Sequence, residues 1–291
     1  MLFGALEAGG TKMVCAIGDE SGRILEQVSI PTRTPKETIP DIINYFKDKG
    51  VAALGIGAFG PIDVIEGSKT YGYILDTPKL TWKNFDLVGS IGKELHLPIG
   101  LDTDVNGSCL GEVTFGCAKG LDSVIYITIG TGVGVGICIN GKLLHGMLHP
   151  EAGHVLLAKH PSDNYNGKCP YHINCFEGLA AGPAIEERWG KKAFELVDRG
   201  EVWELEAYYI AQALVNYILT LAPRKIILGG GVMHQMQLFP LIRRNVKNLL
   251  GGYINTKEIN DLEQYIVPCS LNDNQGIMGC IELAKKALGT S

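Results

Sequence analysis

Two stretches of this chain are built on one plan. The first, "MLFGALEAGGTKMVCAIGDESGRILEQVSI", opens as an apolar strand and meets a Gly/Thr turn at Gly10-Thr11. It returns as "MVCAIG", turns at "DESG" and leaves as "RILEQVSI". From Ser123 the plan recurs as "SVIYITIGTGVGVGICINGKLLHG", with its Gly/Thr turn at Gly130-Thr131, a return as "VGVGICI" and a turn at "NG". Internal repetition constrains architecture more than any single motif does. Either turn alone reads as an ordinary tight hairpin. Two matched copies predict two related α/β domains facing each other, each with a glycine-threonine tip. The backbone N–H groups and the threonine hydroxyl of such a tip can hold phosphate oxygens.

The segments around the copies fit that scheme. "PKETIPDIINYFKDKG" carries apolar residues at 39, 42, 43 and 46, one face of a helix that ends at Gly50. "VAALGIGAFGPID" reads as a buried strand ending in Gly60-Pro61, and "NFDLVGSIGKELHL" as a second amphipathic helix. "PIGLDTDVNGSCLGE" reads as a strand running into a helix, so "TDVN" falls at a strand's carboxyl end, where ligands gather in open α/β sheets. Further on, two helical stretches (182–200 and 201–223) precede "RKIILGGGVM", a short strand that breaks into three glycines. "LNDNQGIMGCIELAKKAL" closes the chain as a helix.

Composition narrows the function classes. The 291 residues suit one large or two medium domains, and a hydrophobic share of 46% can fill their cores. The net charge of −5, with no long basic run, argues against a nucleic-acid surface as the main business. No apolar segment reaches the roughly 18 residues of a membrane span. Met1 leads straight into "LFGAL", so no signal peptide is expected and a reducing cytoplasm is the expected setting. Of the eight cysteines, Cys15 and Cys138 sit in apolar runs and read as small buried hydrophobes. In a reducing compartment a close Cys/His group suggests metal rather than disulfide. Such a group lies in "HPEAGHVLLAKHPSDNYNGKCPYHINCFEGLAAGPAI", residues 149–185.

The marks "EAGGTK", "GPID", "LDTDVNGSCLGE", "ITIGTGVGVGI", "HPEAGH", "CPYHINCFEG", "ILGGGVM" and "DNQGIMG" stand in an order that extends over nearly the whole chain. Together they resemble the ROK family (repressor, open reading frame, kinase), most closely its bacterial fructokinase branch. The resemblance implies a duplicated actin-like, ribonuclease H-like ATPase fold, with two domains around a cleft that takes ATP and sugar. The expected division is an N-terminal α/β domain over 1–113, joined by a C-terminal helix 276–291 packed back on it. A second α/β domain is expected over 114–275, with a zinc-binding segment at 154–175. A homodimer is the implied assembly, with no nucleic-acid or membrane partner.

Phosphoryl transfer from ATP to a sugar hydroxyl needs positioning, charge neutralisation and a base. Asp104 is the candidate base: it follows a buried strand, and an aspartate with an ordinary pKa of about 3.9 is ionised at pH 7 and can take a hydroxyl proton. The alternative is a helix cap for the helix beginning near Val105. Asp102, two residues back, would share Asp104's face on an extended strand, but the family pattern aligns Asp104 with the base. By the same resemblance Gly9, Gly10, Thr11 and Lys12 form the first phosphate loop, and Gly130, Thr131 and Gly132 the second. Gly229, Gly230 and Gly231 lie near the adenosine. Many members carry Asp where this chain has Glu7, whose longer side chain can reach Mg²⁺ through water.

His154, Cys169, His172 and Cys175 read H-x14-C-x2-H-x2-C. Four N/S ligands suit a closed, structural tetrahedral Zn²⁺ site. The pattern departs from the C-x-C-x4-C of many members, with His172 replacing one cysteine. Free cysteines near surface histidines are the alternative; His145, His149 and His160 read as loop residues, with His160 the rival ligand. The resemblance implies that Glu151, His154 and Glu177 contact the sugar together with Asp104, with Gly60 at its edge. It favours phosphorylation of fructose at O6, with glucose, mannose or an amino sugar as alternative substrates. Thr103 stands where many glucose-type members carry Asn. The family also holds sugar-sensing repressors with a helix-turn-helix ahead of the first phosphate loop. Only six residues precede Glu7 here, so a kinase is expected instead.

Overall fold

β1 (Leu2–Ala8) is buried along almost its whole length, with only Leu2 and Glu7 partly exposed. A strand in the middle of a covered sheet must be apolar on both faces, and β1 alternates accordingly. Phe3 and Ala5 join one core cluster, Leu6 and Ala8 the other. The computed structural model describes residues 1–289, so the last two residues of the helix expected over 276–291 lie outside the described residues.

The chain divides into two compact units. One comprises Met1–Gly120, Leu143–Pro150 and the residues from Ser270 on; the other comprises Leu121–Lys142 and Glu151–Cys269. In the first unit β1 is followed by β2 (Lys12–Asp19), β3 (Ile24–Pro31), α1 (Pro35–Phe46) and β4 (Leu54–Ala58). Then come the two-residue strands β5 (Tyr73–Ile74) and β6 (Phe85–Asp86), α2 (Leu87–Leu95), β7 (Ile99–Thr103) and α3 (Asp104–Phe115). Its sheet runs β3-β2-β1-β4-β7, with β1 and β2 an antiparallel hairpin and β1, β4 and β7 parallel.

The second unit repeats this plan. β8 (Val124–Ile129) and β9 (Val133–Ile139) form the hairpin, and β10 (Lys142–Leu143) ends it. Next come α4 (Phe176–Ala180), α5 (Gly182–Trp189), α6 (Gly200–Leu221), β11 (Lys225–Gly229), α7 (Leu238–Leu250), two short turns α8 (Lys257–Asn260) and α9 (Leu262–Tyr265), and β12 (Ile266–Pro268). Sheet order is β10-β9-β8-β11-β12, with β8, β11 and β12 parallel. Each hairpin thus leads into two parallel strands, the order that the duplicated sequence predicts. No described helix is long and apolar enough to cross a membrane.

The final helix, α10 (Gln275–Ala287), belongs to the first unit and packs on its sheet through Ile277, Cys280, Ile281 and Ala284. Glycine makes this approach close. A methyl group at Gly55 of β4 would overlap the Cys280 carbonyl, and one at Gly279 would overlap the Gly107 carbonyl of α3. The unit boundaries differ from those expected at 113/114 and 275/276. A cut at 113 would fall inside α3, whose hydrogen-bonded turns run to Phe115, and the chain leaves the first unit only after Gly120.

Candidate active site

In the first unit the expected site residues stand at the carboxyl ends of β1, β4 and β7. β7 ends at Thr103 and α3 begins at Asp104. The capping role that Asp104 could have filled falls to Thr103, whose Oγ1 accepts a hydrogen bond from Asn106 N at 3.1 Å. Thr103 is buried and Asp104 partly exposed. Asp102 and Asp104 therefore do not share a strand face. Asp102, buried in β7, accepts from Thr103 N at 2.8 Å and from Asn106 Nδ2 at 2.7 Å. These bonds engage Asp102 in the fold; Asp104, at the first turn of α3, accepts from Val105 N through Oδ1 at 2.8 Å. Gly57 on the neighbouring strand packs against both α10 and the start of α3: a methyl group there would lie 3.0 Å from Cys280 Sγ and 3.4 Å from Asp104 Cα.

Asp102 has a third partner that sequence spacing does not reveal. His145 Nε2 lies 3.0 Å from its Oδ2 and 3.1 Å from its Oδ1. Four residues on, the buried His149 Nε2 accepts from Ile62 N at 3.3 Å, just past Gly60-Pro61. Burial lowers the pKa of His149, which favours the neutral ring that can accept. Two histidines expected as plain loop residues thus fasten the Leu143–Pro150 segment within the first unit. The hydrogen bond to Asp102 raises the pKa of His145, with burial opposing and the Asp102 charge assisting. A raised pKa in the folded state means that this pair's stabilisation is complete below the unfolded value of about 6.5 and fades as pH rises through the higher folded one. Wild type should therefore lose its stability advantage over His145→Gln across that interval. For a partly exposed pair the difference is below about 1 kcal/mol, or ~2 °C in Tm. Thermal melts of both proteins between pH 6 and pH 8 (about the range bracketing a histidine) check this. Curves that stay parallel refute it.

The first glycine tip is tightly built. Gly9 N bonds to Lys12 O at 3.0 Å, Thr32 Oγ1 donates to Gly9 O at 2.8 Å, and Thr32 N to Thr11 O at 3.0 Å. Thr11 and Lys12 are exposed. Glu7 turns toward the start of α10: a methyl group at Gly276 would lie 2.6 Å from Glu7 Oε2. Burial raises the Glu7 pKa, and the Lys12 charge opposes that rise.

In the second unit three glycine turns converge. Gly182 N, at the first residue of α5, donates to Gly130 O at 2.8 Å, and a methyl group at Gly130 would lie 3.8 Å from Gly231 N. Gly230 has φ 88°, and any side chain there would press on Thr128 and Ile129. Gly130–Gly132 and Gly229–Gly231 are thus brought together, with Gly182 a neighbour that the sequence reading missed. Glu177 reaches the same tip, its Oε2 accepting from Val133 N at 3.0 Å.

The ligand-rich stretch folds onto itself. Phe176 N bonds to Val155 O, Leu157 N to Asn174 O and Lys168 N to Gly178 O. These ties gather His154, Cys169, His172 and Cys175, whose ligand atoms all lie within 4.8 Å of one another. Cys169 Sγ is 3.7 Å from His154 Nδ1 and 3.6 Å from His172 Nδ1, and Cys175 Sγ is 3.6 Å from His154 Nδ1. Zinc bonds of about 2.3 Å to sulfur and 2.0–2.1 Å to nitrogen put tetrahedral N···S edges at about 3.5 Å, so the group fits Zn²⁺. Burial pushes the Cys175 thiol up to about 12, so a cation is what would hold it as thiolate. His160 stands elsewhere, on Ser162 Oγ at 2.7 Å and edge-on to Tyr208. With Nδ1 turned to the sulfurs, His154 Nε2 faces Glu177 Oε1 at 4.0 Å. Glu151 is exposed, yet crowding around its carboxyl and then the Glu177 charge raise its pKa.

Known proteins resemble this chain over its whole length. Residues 3–287 match the sequence profile of the ROK family. A Bacillus subtilis (strain 168) relative is 53% identical over 288 residues, covering 99% of this chain and 96% of its own. A fructokinase of Pediococcus pentosaceus is 47% identical, covering 99% of each. Among solved structures, a ROK family glucokinase from Streptomyces griseus, in complex with glucose and AMPPNP, superposes with a TM-score of 0.79. It is 25% identical, covering 98% of this chain and 100% of that one.

Proposed function

The chain belongs to the ROK family, and we propose that within it this protein is a fructokinase, which moves the terminal phosphoryl group of ATP to O6 of D-fructose. The observation that carries this reading is the 47% identity to a fructokinase over 99% of both chains. That figure stands far above the 25% shared with a glucokinase.

In this reading the Asp104 carboxylate accepts the O6 proton as O6 bonds to the γ-phosphorus. The bond from that phosphorus to the bridging oxygen breaks, and ADP departs with the electron pair. Gly9, Gly10, Thr11 and Lys12 hold phosphate oxygens, as do Gly130, Thr131 and Gly132; Gly229, Gly230 and Gly231 flank the adenosine. Glu151, Glu177 and the Nε2 side of His154 bind sugar hydroxyls, with Gly60 at the sugar's edge. Carboxylates make strong hydrogen bonds to hydroxyls. Mg²⁺ would be held largely by the nucleotide's phosphates and water, with Glu7 the residue that would reach it through water. His154, Cys169, His172 and Cys175 would hold Zn²⁺ in a structural role, because four protein ligands would close its coordination. The protein works as a homodimer in the cytoplasm, as the family resemblance implies.

A panel of hexoses with ATP and Mg²⁺ tests the substrate. We expect kcat/KM for fructose to exceed that for glucose, mannose and glucosamine by about tenfold or more, the scale set by one or two hydroxyl contacts. Equal or better turnover of any of these sugars would overturn the assignment to fructose.

A further inference from the structure

The first glycine tip has a neighbour that no motif marks. A methyl group placed on Gly10 would meet Lys79 Cε at 2.9 Å and Lys79 Nζ at 3.8 Å. Lys79 therefore lies along the tip, close to the backbone of the proposed phosphate loop. Its position is built rather than incidental. It sits in the loop between β5 and β6, which pair antiparallel through Tyr73–Asp86 and Ile74–Phe85. Leu75 N donates to Pro61 O at 2.8 Å, which ties the loop to the segment after Gly60. Trp82, 1% exposed, anchors the far side: its Nε1 donates to Arg33 O at 2.7 Å, and its ring packs edge-on to Phe59 and Phe85. Between these anchors Lys79 N donates to Thr77 Oγ1 at 3.3 Å, and Lys79 O accepts from Trp82 N at 2.8 Å.

Two other charges of the loop, Asp76 and Lys83, pair with each other at 2.6 Å. Lys79 forms no ion pair among the described residues, although it is half-buried. An ammonium carried over a glycine turn by an anchored backbone, with no carboxylate to neutralise it, is suited to an anion.

We propose that Lys79 is a further catalytic residue, its ammonium donating to a non-bridging oxygen of the γ-phosphoryl group held at Gly9–Lys12. This rests on the kinase reading above and extends it by one residue. The ammonium neutralises charge on the oxygens of the group in flight and takes no proton. Lys12, exposed on the same tip, adds charge from β2. The two lysines thus flank the tip from different elements, one on the hairpin and one on an anchored loop.

The test uses the wild-type protein and Lys79→Met, which keeps all but the last atom of the side chain's length and removes its charge, with Lys79→Arg as the conservative variant. Loss of one charge-assisted hydrogen bond should lower kcat/KM for ATP about 30-fold in Lys79→Met, with Lys79→Arg recovering part of it. Fructose affinity should stay within about twofold, since no sugar contact is removed. The discriminating readout is the ratio of AMP-PNP to ADP affinity, measured by calorimetry. A contact to the γ-position weakens AMP-PNP selectively in Lys79→Met, whereas a loop that merely loosens weakens both alike. An unchanged ratio, or a defect confined to the fructose KM, overturns the assignment of Lys79. If wild type itself turns over no hexose, the kinase reading fails, and the affinity ratio still decides whether Lys79 meets the γ-phosphate.

Discussion

Asp104→Asn should lower kcat for fructose phosphorylation on the order of 1,000-fold while fructose still binds. Asparagine has the shape of aspartate and cannot accept the hydroxyl proton at neutral pH. The bond that Asp104 Oδ1 accepts from Val105 N at 2.8 Å can be kept by the asparagine oxygen. The cap of α3 is Thr103, and Asp102 carries the buried network with Thr103 N, Asn106 and His145. Removing a negative charge from the first turn of a helix costs only about 0.3–1 kcal/mol, so the variant should fold. The comparison to make is a coupled assay for turnover against calorimetry for fructose binding. Undiminished turnover would reject Asp104 as the base. Lost turnover together with lost fructose affinity would point to a ground-state contact instead.

Removing the proposed zinc should also be damaging, by a different route. The cluster of His154, Cys169, His172 and Cys175 joins two parts of one segment, and His154 belongs both to it and to the proposed sugar contacts. Glu177 follows Cys175 by two residues, on the short helix that Cys175 caps by accepting from Gly178 N at 3.3 Å. A five-residue helix does not hold its shape alone. Without a cation the two sulfurs and two imidazoles lose their common centre. Glu177 then loses its hold on Val133 N at the second glycine tip. Chelated protein, or Cys169→Ser, should show a rise in fructose KM on the order of 100-fold, the upper range seen when the support of a metal site is removed. Zinc content by atomic emission should be one ion per chain in wild type and far less in the variant. Protein stripped of metal that kept full fructose affinity would end this account.

Much of this molecule was legible in advance because repetition and spacing are local properties. The matched tips at Gly10 and Gly130 announced two sheets of one plan, since a hairpin's turn residues and alternating strands are written within some twenty-five residues. The clustering of His154, Cys169, His172 and Cys175, a group that could hold a metal ion, was legible for a similar reason. Three of them fall within seven residues, and Cys and His have few other uses at such density in a loop. Asp104 could be separated from its neighbour only through the family pattern, not from the residues themselves. Whether Asp102 or Asp104 was engaged elsewhere depends on His145 and Asn106, and His145 lies more than forty residues away in sequence.

The amino-acid order alone determined the duplicated α/β plan, the family, the two glycine-threonine tips and the His/Cys cluster that could hold a metal ion, because each is encoded by residues that stay close along the chain. Tertiary structure decided which aspartate is capped off and consumed, that His145 and His149 fasten the Leu143–Pro150 segment, and that Lys79 lies over Gly10. Those are meetings between segments distant along the chain. They are selected when sheets, helices and anchored loops bury their apolar faces together, and a side chain's partner is fixed only once its backbone has been carried there.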